Sequence, residues 1–364
     1  MGSQAVPVSR NASRKKSVFR RAAPDRSPRI RRQVQLAFAL LNAWLGIQFF
    51  LWVRFYERGG QGFEVPRPPG AEGWLPIAGL MNFKYLLASG RTPAIHPAAM
   101  FLFMSFLTMS MLAKRSFCSW LCPMGTLSEY LWKLGKKVLR GNLRLPRWLD
   151  MPLRGLKYLL LGFFLFVIGS MSAVALDEFM RTPYGLIADV KMLNFFRSMS
   201  TSAAIVVAAL VLLSVVIENF WCRYLCPYGA LMGLASLLSP LKIRRNPSAC
   251  INCGKCAHAC PAALPVDKLV RIRSVECNAC MACIAACPAE SALRLSLQPA
   301  RTPDPARLRF GGAIKPEVLA ALLAIIFFGF VIFARATGHW RTDLPSAVYQ
   351  QLVPIASQAA HPGF

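Results

Sequence analysis

Two copies of one cysteine spacing constrain this chain more than anything else in its 364 residues. Cys250-x2-Cys253-x2-Cys256-x3-Cys260-Pro261 is followed by Cys277-x2-Cys280-x2-Cys283-x3-Cys287-Pro288. Three thiolates at this spacing converge only where the backbone wraps a compact inorganic core. The small neighbours Gly254, Ala257, Ala259, Ala279, Ala282, Ala285 and Ala286 let the backbone come that close. Pro261 and Pro288 end each wrap by fixing φ and removing a donor. A run of this form holds [4Fe–4S] cubanes, with the fourth cysteine of each run crossing to the other cluster. The spacing therefore predicts Cys250, Cys253, Cys256 and Cys287 on one cubane, and Cys277, Cys280, Cys283 and Cys260 on the other. Zinc takes C-x2-C pairs set apart by a longer spacer. Disulfides belong to oxidising compartments.

The second constraint is apolar length. Residues 33–53, 95–113, 156–176, 202–218 and 318–334 are five nearly uncharged stretches, each about as long as a tilted membrane helix requires. Residues 74–88 are also apolar but carry Pro76 and Lys84, which reads as an interfacial or re-entrant segment. A formal charge of +27 suits nucleic acid or an anionic membrane surface, and its distribution decides. With the N-terminus cytoplasmic, the inner segments 1–32, 114–155 and 219–316 carry ten, nine and thirteen Lys/Arg. The outer segments 54–94 and 177–201 carry five and three, each balanced by three acids. That asymmetry is the positive-inside pattern. It predicts a multi-pass protein of the bacterial inner (cytoplasmic) membrane, with N-terminus and cysteine domain cytoplasmic and the C-terminus outside. Its basic charge then meets lipid headgroups, and nucleic acid is not expected as a partner. The basic arm 1–32 is no signal peptide, since a long apolar run follows it without a small-residue cleavage site.

All twelve cysteines fall inside motifs. The remaining four belong to an internal repeat: Phe-Cys-Ser-Trp-Leu-Cys-Pro-Met-Gly-Thr-Leu at 117–127 and Trp-Cys-Arg-Tyr-Leu-Cys-Pro-Tyr-Gly-Ala-Leu at 221–231, identical at six of eleven positions. Each copy follows the inner end of a membrane stretch, so the core reads as two helix-pair repeats, each ending in C-x3-C-P. The x3 gap is expected to place both sulfurs on one face of a helical turn. Pro123 and Pro227 suit the first position of the next helix. In the first repeat that helix is amphipathic, with Leu127, Tyr130, Leu131, Leu134 and Val138 opposing Lys133, Lys136, Lys137 and Arg140. Cys118, Cys122, Cys222 and Cys226 are candidates for one further metal or redox site, whether an all-thiolate centre for iron, copper or zinc, two thiol/disulfide pairs, or a transient Cu(I) site.

The expected fold is thus an α-helical membrane protein of about five transmembrane helices with an inserted α+β dicluster ferredoxin-like domain. Its parts are a basic arm (1–32), membrane repeat 1 (33–155), membrane repeat 2 (156–240), the two-cubane domain (241–298), a linker (299–316), a last membrane helix (317–335) and an outer tail (336–364). Residues 266–275 are expected to add a short strand and helix, and a short helix is expected near 346–352. His96 and His339 fall near the outer surface, where interfacial anchoring beside Pro97 and Trp340 outweighs a quinone-contacting or proton-accepting pair. Trp44, Trp52, Trp74 and Tyr85 read as interfacial belt residues.

Joined to the two C-x3-C-P copies, the cubane runs make the chain resemble the ferredoxin-type membrane proteins of the NapH/NosR/CcoG family over about residues 33–340. The resemblance is to the minimal core, without an outer flavin-binding domain. It implies an inner-membrane electron-transfer protein that relays electrons between the quinone pool, or a redox-protein partner, and cytoplasmic-side clusters. Whether it serves as a quinol dehydrogenase subunit stays open. Two other classes remain: a copper reductase or metalloenzyme assembly factor working through Cys118, Cys122, Cys222 and Cys226, and a membrane-bound redox sensor. No Gly-rich nucleotide loop follows a strand, so a built-in nicotinamide or flavin is not expected.

Overall fold

The computed structural model describes residues 25–143, 145–297 and 313–359. Helix α1 (Ser27–Glu57) leads through a 3₁₀ turn at Pro69–Trp74 to α2 (Pro76–Ser89), α3 (Pro97–Ala113), the short α4 (Ser116–Trp120) and α5 (Pro123–Val138). Then come α6 (Arg147–Ser170), α7 (Ala173–Arg181), α8 (Pro183–Leu186), α9 (Ala188–Arg197), α10 (Thr201–Val216) and, after a wide turn at Trp221–Leu225, α11 (Pro227–Ala235). Strands β1 (Leu241–Arg245) and β2 (Leu293–Leu297) bracket α12 (Lys255–His258) and α13 (Ala282–Ala285), and α14 (Pro316–Ala336) and α15 (Ser346–Leu352) follow. Most of the basic arm 1–32 and of the linker 299–316, and the last residues of the tail, lie outside the described residues.

Among the described residues α1, α6 and α14 are long and apolar enough to cross a membrane. A fourth span exists only if α9 and α10 are taken together, and they are bent by 82° at their junction. The fifth expected stretch, 95–113, is the 17-residue α3. A helix apolar on every side must be covered by protein or by lipid, and α3 and α10 take the two options. Met100, Phe101, Leu102, Phe103, Phe106 and Met109 of α3 are buried among α2, α11 and α14. Ile205, Val206 and Leu212 of α10 stay exposed. So do Leu36, Leu40, Trp44, Ile47 and Leu51, a helical stripe along α1, and Ile325, Phe328 and Ile332 on α14. These outward stripes make the chain a membrane protein built around one protein-buried helix.

Several expectations change in detail. The stretch 156–176 is realised as α6, which starts earlier and stops at Ser170; Ser172 then caps α7 by accepting from the Ala175 amide at 3.1 Å. The 74–88 segment is the ordered α2, and Lys84 Nζ bonds the carbonyls of Ile168 (2.8 Å), Gly169 (2.7 Å) and Met171. A charge inside an apolar stretch is thus a cap on the last carbonyls of α6. Trp52 is not a belt residue, being buried against Phe49, Tyr56 and Tyr349. Residues 266–275 form neither strand nor helix. They meet β1 through Ile272 N to Ile243 O (2.9 Å), Arg245 N to Val270 O (2.8 Å) and Arg245 Nε to Leu269 O (3.3 Å) before turning back toward Cys277. The sheet is instead β1 against β2, antiparallel, with Leu241 opposite Leu297 and Ile243 opposite Leu295. It clasps both cysteine runs between its strands.

At the end of the bundle away from the cysteine runs a buried polar cluster ties the 3₁₀ turn, α3, α9 and the segment after α14 together. Arg67 bonds Asp189 (2.6 and 3.1 Å) and Glu72 (2.9 Å), and the Thr342 hydroxyl donates to Glu72 (3.0 Å). His96, wholly buried, places Nδ1 3.3 Å from Glu72 and Nε2 2.9 Å from the Gly185 carbonyl. This is a structural ion-pair site rather than the interfacial anchor expected, while His339 stays exposed. Burial pushes the Glu72 carboxyl up, but Arg67 and then His96 outweigh it and hold it at about 2. Burial pushes the His96 imidazole down, and its bond to Glu72 outweighs that and raises it. The stability Glu72 supplies is complete above its ordinary 4.5 and is lost as pH falls toward about 2. What His96 supplies is complete below its ordinary 6.5 and is lost as pH rises through its raised value. The thermal midpoint in detergent should therefore be highest between about pH 4.5 and 6.5. Glu72→Ala, which leaves Arg67 with Asp189 alone and takes the paired acid from His96, should lower stability by about 3–5 kcal/mol and flatten the acid limb.

Candidate metal centres

The two cysteine runs share one backbone device. Asn252 (φ 55°) and Gly254 (φ 70°) flank Cys253, and Ala279 (φ 48°) and Met281 (φ 59°) flank Cys280, all left-handed. Successive residues of opposite hand turn their N–H groups into a concave nest that suits an anion. For Ala279 and Met281 this hand costs roughly 1–2 kcal/mol each, which only an over-determined wrap sustains. The Asn252 amide donates to the Cys250 sulfur (3.5 Å) and the Cys287 thiol donates to the Ala289 carbonyl (3.6 Å); burial raises the Cys256, Cys260, Cys277, Cys280 and Cys287 thiols, and nearby backbone amides offset part of it.

Two small cavities of nearly equal size result. Cys250, Cys253, Cys256 and Cys287 line one, and Cys260, Cys277, Cys280 and Cys283 line the other. Each fourth cysteine thus sits with the opposite run. Burial pushes the Cys280 thiol up to about 11 and the Cys283 thiol well above its ordinary value, so bare thiolates are unfavourable there. Among the described residues no three His, Cys, Asp or Glu side chains converge on a single-ion position. A cubane sets each thiolate on its own iron, so its ligands stand apart as these do. Four sulfurs per cavity, inward amides and paired cavities fit [4Fe–4S] groups.

The C-x3-C-P motifs depart from the expected helical turn. In both copies the second cysteine's amide bonds the carbonyl five residues back: Cys122 N to Phe117 O and Cys226 N to Trp221 O, each 3.0 Å. This wide turn separates the sulfurs of each motif. Cys118 and Cys222 line one cavity, Cys122 and Cys226 another. α5 and α11 start at Pro123 and Pro227. Position 125 must be glycine, because a Cβ there would stand 2.1 Å from the Cys118 carbonyl oxygen. The four sulfurs nonetheless form one group. Burial and Cys118 push the Cys122 thiol up to about 12, and burial, Cys226, Cys122 and Cys118 together push Cys222 well up.

This quartet is joined directly to the second cubane run. Ser119 Oγ donates to the Asn278 carbonyl (2.6 Å) and Trp120 Nε1 to that of Ala279 (3.1 Å). Lys114 Nζ reaches the carbonyls of Arg273 (3.3 Å) and Ser274 (3.2 Å), and Lys157 Nζ holds both oxygens of Glu276 (2.6 and 2.8 Å). The polar cavity of Cys118 and Cys222 also touches Arg115, Glu276 and Cys280, and Cys280 lines the second cubane cavity as well. On the other side, Cys122, Cys226 and Tyr228 face an apolar cavity walled by Phe103, Phe106, Leu231 and Phe327 that runs outward to Arg67 and Trp340. Sequence reasoning missed Arg115, Glu276 and Lys157, whose partners are distant in sequence. The signal available was the substitution of Met124 by Tyr228 at matching repeat positions, the one polar change next to a conserved-looking Cys-Pro pair within the chain.

A family model described as a 4Fe-4S dicluster domain matches residues 242–288, and one described as a 4Fe-4S binding domain matches twice, at residues 95–143 and 199–246. Each of these two matches spans one C-x3-C-P copy. The chain is 48% identical over 331 residues, 91% of each chain, to YccM of Escherichia coli (strain K12), a protein named for electron transport. It is 30% identical over 224 residues to the protein NirI of Paracoccus denitrificans, 59% of this chain and 31% of that one. It is 27% identical over 211 residues to the ferredoxin-type protein NapH of Escherichia coli, 55% of this chain and 68% of that one. No solved structure matches it. An electron-transport relative of nearly equal length, 4Fe-4S domains and membrane-length helices converge: the chain belongs to the ferredoxin-type membrane iron–sulfur proteins of the NapH/NosR-like family.

Proposed function

We propose that the chain is an inner-membrane electron conduit, with two cubanes on the cytoplasmic side, a thiolate relay at Cys118, Cys122, Cys222 and Cys226, and a lipophilic quinone or redox-protein partner as the exchange partner. The observation that carries this reading is the continuity of cysteine-lined cavities: apolar cavity, quartet, polar cavity, second cubane cavity, with Cys280 shared by the last two. Bound there, iron–sulfur groups supply one-electron carriers. The chain's own part is to hold them in register through Ser119, Trp120 and Lys157, and to keep water from the quartet with Phe106, Phe117 and Tyr228. Cys250, Cys253, Cys256 and Cys287 are proposed as ligands of one cubane, and Cys260, Cys277, Cys280 and Cys283 of the other. Tyr228 lines the apolar cavity beside Cys226 and makes no hydrogen bond to a described residue, so its hydroxyl is available to a quinone carbonyl. The Lys/Arg asymmetry supports a cytoplasmic N-terminus and cluster domain.

Anaerobically purified protein should hold at least eight iron and eight sulfide, two cubanes' worth, and show two interacting [4Fe–4S] EPR signals on reduction. Cys287→Ser should perturb the signal that Cys250→Ser perturbs, and Cys260→Ser the signal that Cys277→Ser perturbs. Iron near zero, or the opposite grouping, defeats the ligand assignment. Tyr228→Phe should weaken a short-chain quinone analogue by roughly tenfold, the worth of one buried hydrogen bond, measured by binding to the oxidised protein. Reporter fusions placed within 299–312 should be active only as cytoplasmic reporters.

A further inference from the structure

One charge in the polar cavity is paired only at a distance and lacks hydrogen bonds among the described residues. Of the cations lining it, Arg31 bonds both oxygens of Glu129 (2.6 Å each), Lys133 shares Glu129 (2.6 Å), and Arg223 pairs with Asp150 (2.7 Å). Arg115 differs. It is 5% exposed, and neither its Nε nor its Nη1 has a hydrogen-bond partner among the described residues. The nearest carboxylate, Glu276, lies 3.5 Å away and is already held on both oxygens by Lys157. A buried guanidinium left with idle N–H groups is costly, because it forfeits hydration without replacement. Its position among Cys118, Cys222 and Cys226 says what completes it: Cys118 and Cys222 share its cavity, and its Nη2 and the Cys226 sulfur both flank Gly229.

We infer that Arg115 is the charge partner of an iron–sulfur cluster held by Cys118, Cys122, Cys222 and Cys226, donating N–H bonds to its sulfur atoms and setting its reduction potential. The inference rests on reading the quartet as a metal centre. That fit has three observations behind it: Cys118 and Cys222 line the cavity that Arg115 lines while its Nη2 and the Cys226 sulfur flank one glycine, no three such side chains among the described residues converge on a single-ion position, and a 4Fe-4S model matches both motif copies. An all-thiolate cluster carries net negative charge, which grows by one on reduction. A fixed guanidinium in low dielectric therefore favours the reduced form. Arg115 acts as a positioning residue, not as a ligand.

The test uses the full chain, purified anaerobically as wild type, Arg115→Gln and Arg115→Lys, with iron and acid-labile sulfide counted and each EPR signal titrated against potential. Wild type should hold more iron than the eight of two cubanes. Arg115→Gln should make reduction of the quartet's centre at least tenfold less favourable, a midpoint 59 mV more negative for one electron, or lose that centre's iron while the other eight remain. The signal of the Cys250, Cys253, Cys256 and Cys287 cavity, which Arg115 does not line, should keep its potential and serves as the internal control. Arg115→Lys, retaining charge without the fork, should recover most of the shift. A quartet midpoint unchanged in Arg115→Gln overturns the inference. If that variant does not accumulate, an Arg115→Lys midpoint equal to wild type in every signal overturns it, and a smaller negative shift confined to the quartet supports it. Wild type holding only eight irons instead defeats the quartet reading itself.

Discussion

Sulfur that binds metal must be anionic, and on the proposed assignments twelve sulfurs packed at one end of an apolar bundle carry that charge. Low dielectric makes this expensive unless every negative charge has nearby donors. Much of the inner architecture follows from that demand. In the ferredoxin runs the compensation is backbone: left-handed residues beside Cys253 and Cys280 swing amides toward the sulfurs, at a strain that a sheet clasped around both runs can bear. In the quartet, where tight wide turns leave fewer amides inward, the Gly229 amide reaches Cys226 at 3.2 Å and a guanidinium stands beside the rest. Two sites with one electrostatic problem reach it by different means, because one is built from loops and the other from helix ends.

The same demand makes the soluble-looking domain inseparable from the membrane helices. Its second run hands the Asn278 and Ala279 carbonyls to Ser119 and Trp120 of α4, and Glu276 to Lys157 of α6. Trp120 is fully buried at that seam, and Arg31 and Gln35 of α1 reach under it to Glu129 and the Ser119 carbonyl. Each of these is a buried polar group whose partner lies on a different element, so moving the domain by one hydrogen-bond length would strand several at once. Rigidity of this kind is what an electron path requires, since the carriers must hold fixed separations without rearranging.

What the sequence disclosed, and what it hid, divides along the same line. The eight cysteines of the ferredoxin runs could be grouped from spacing because the wrap is local and the crossing of Cys260 and Cys287 is inherent in the pattern; the cavities group them the same way. The C-x3-C-P turn was misjudged, since four-residue spacing implies a helical face, whereas a five-residue carbonyl bond opens the turn and points the sulfurs apart. The stretch 95–113 reads as a membrane-length helix, but uniform apolarity does not say whether lipid or protein covers it; its neighbours decide, and they bury it. Arg115 and His96 looked like an inner flanking charge and an outer anchor. Their partners, Glu276 and the quartet for one, Glu72 and Gly185 for the other, lie far along the chain, where no period or motif points.

Among the polar residues that line the apolar cavity, which also include Asn42, Gln48, Arg335 and Arg341, Arg67 and Tyr228 are not equivalent. Arg67, at the outer end, is already matched by Asp189 at 2.6 Å and Glu72 at 2.9 Å, so turning to a ligand would break a satisfied buried ion pair. Tyr228, beside Cys226, has no hydrogen bond among the described residues to lose. A lipophilic molecule with one polar head and a long tail therefore gains more by placing its head against Tyr228, with the tail running outward along Phe103 and Leu102 past Trp74. That orientation also sets the head beside Cys122 and Cys226, the two sulfurs that the opened turn directs into this cavity. The wide turn and the lone tyrosine thus serve one arrangement: the first places a sulfur at the cavity wall, and the second fixes an oxygen next to it.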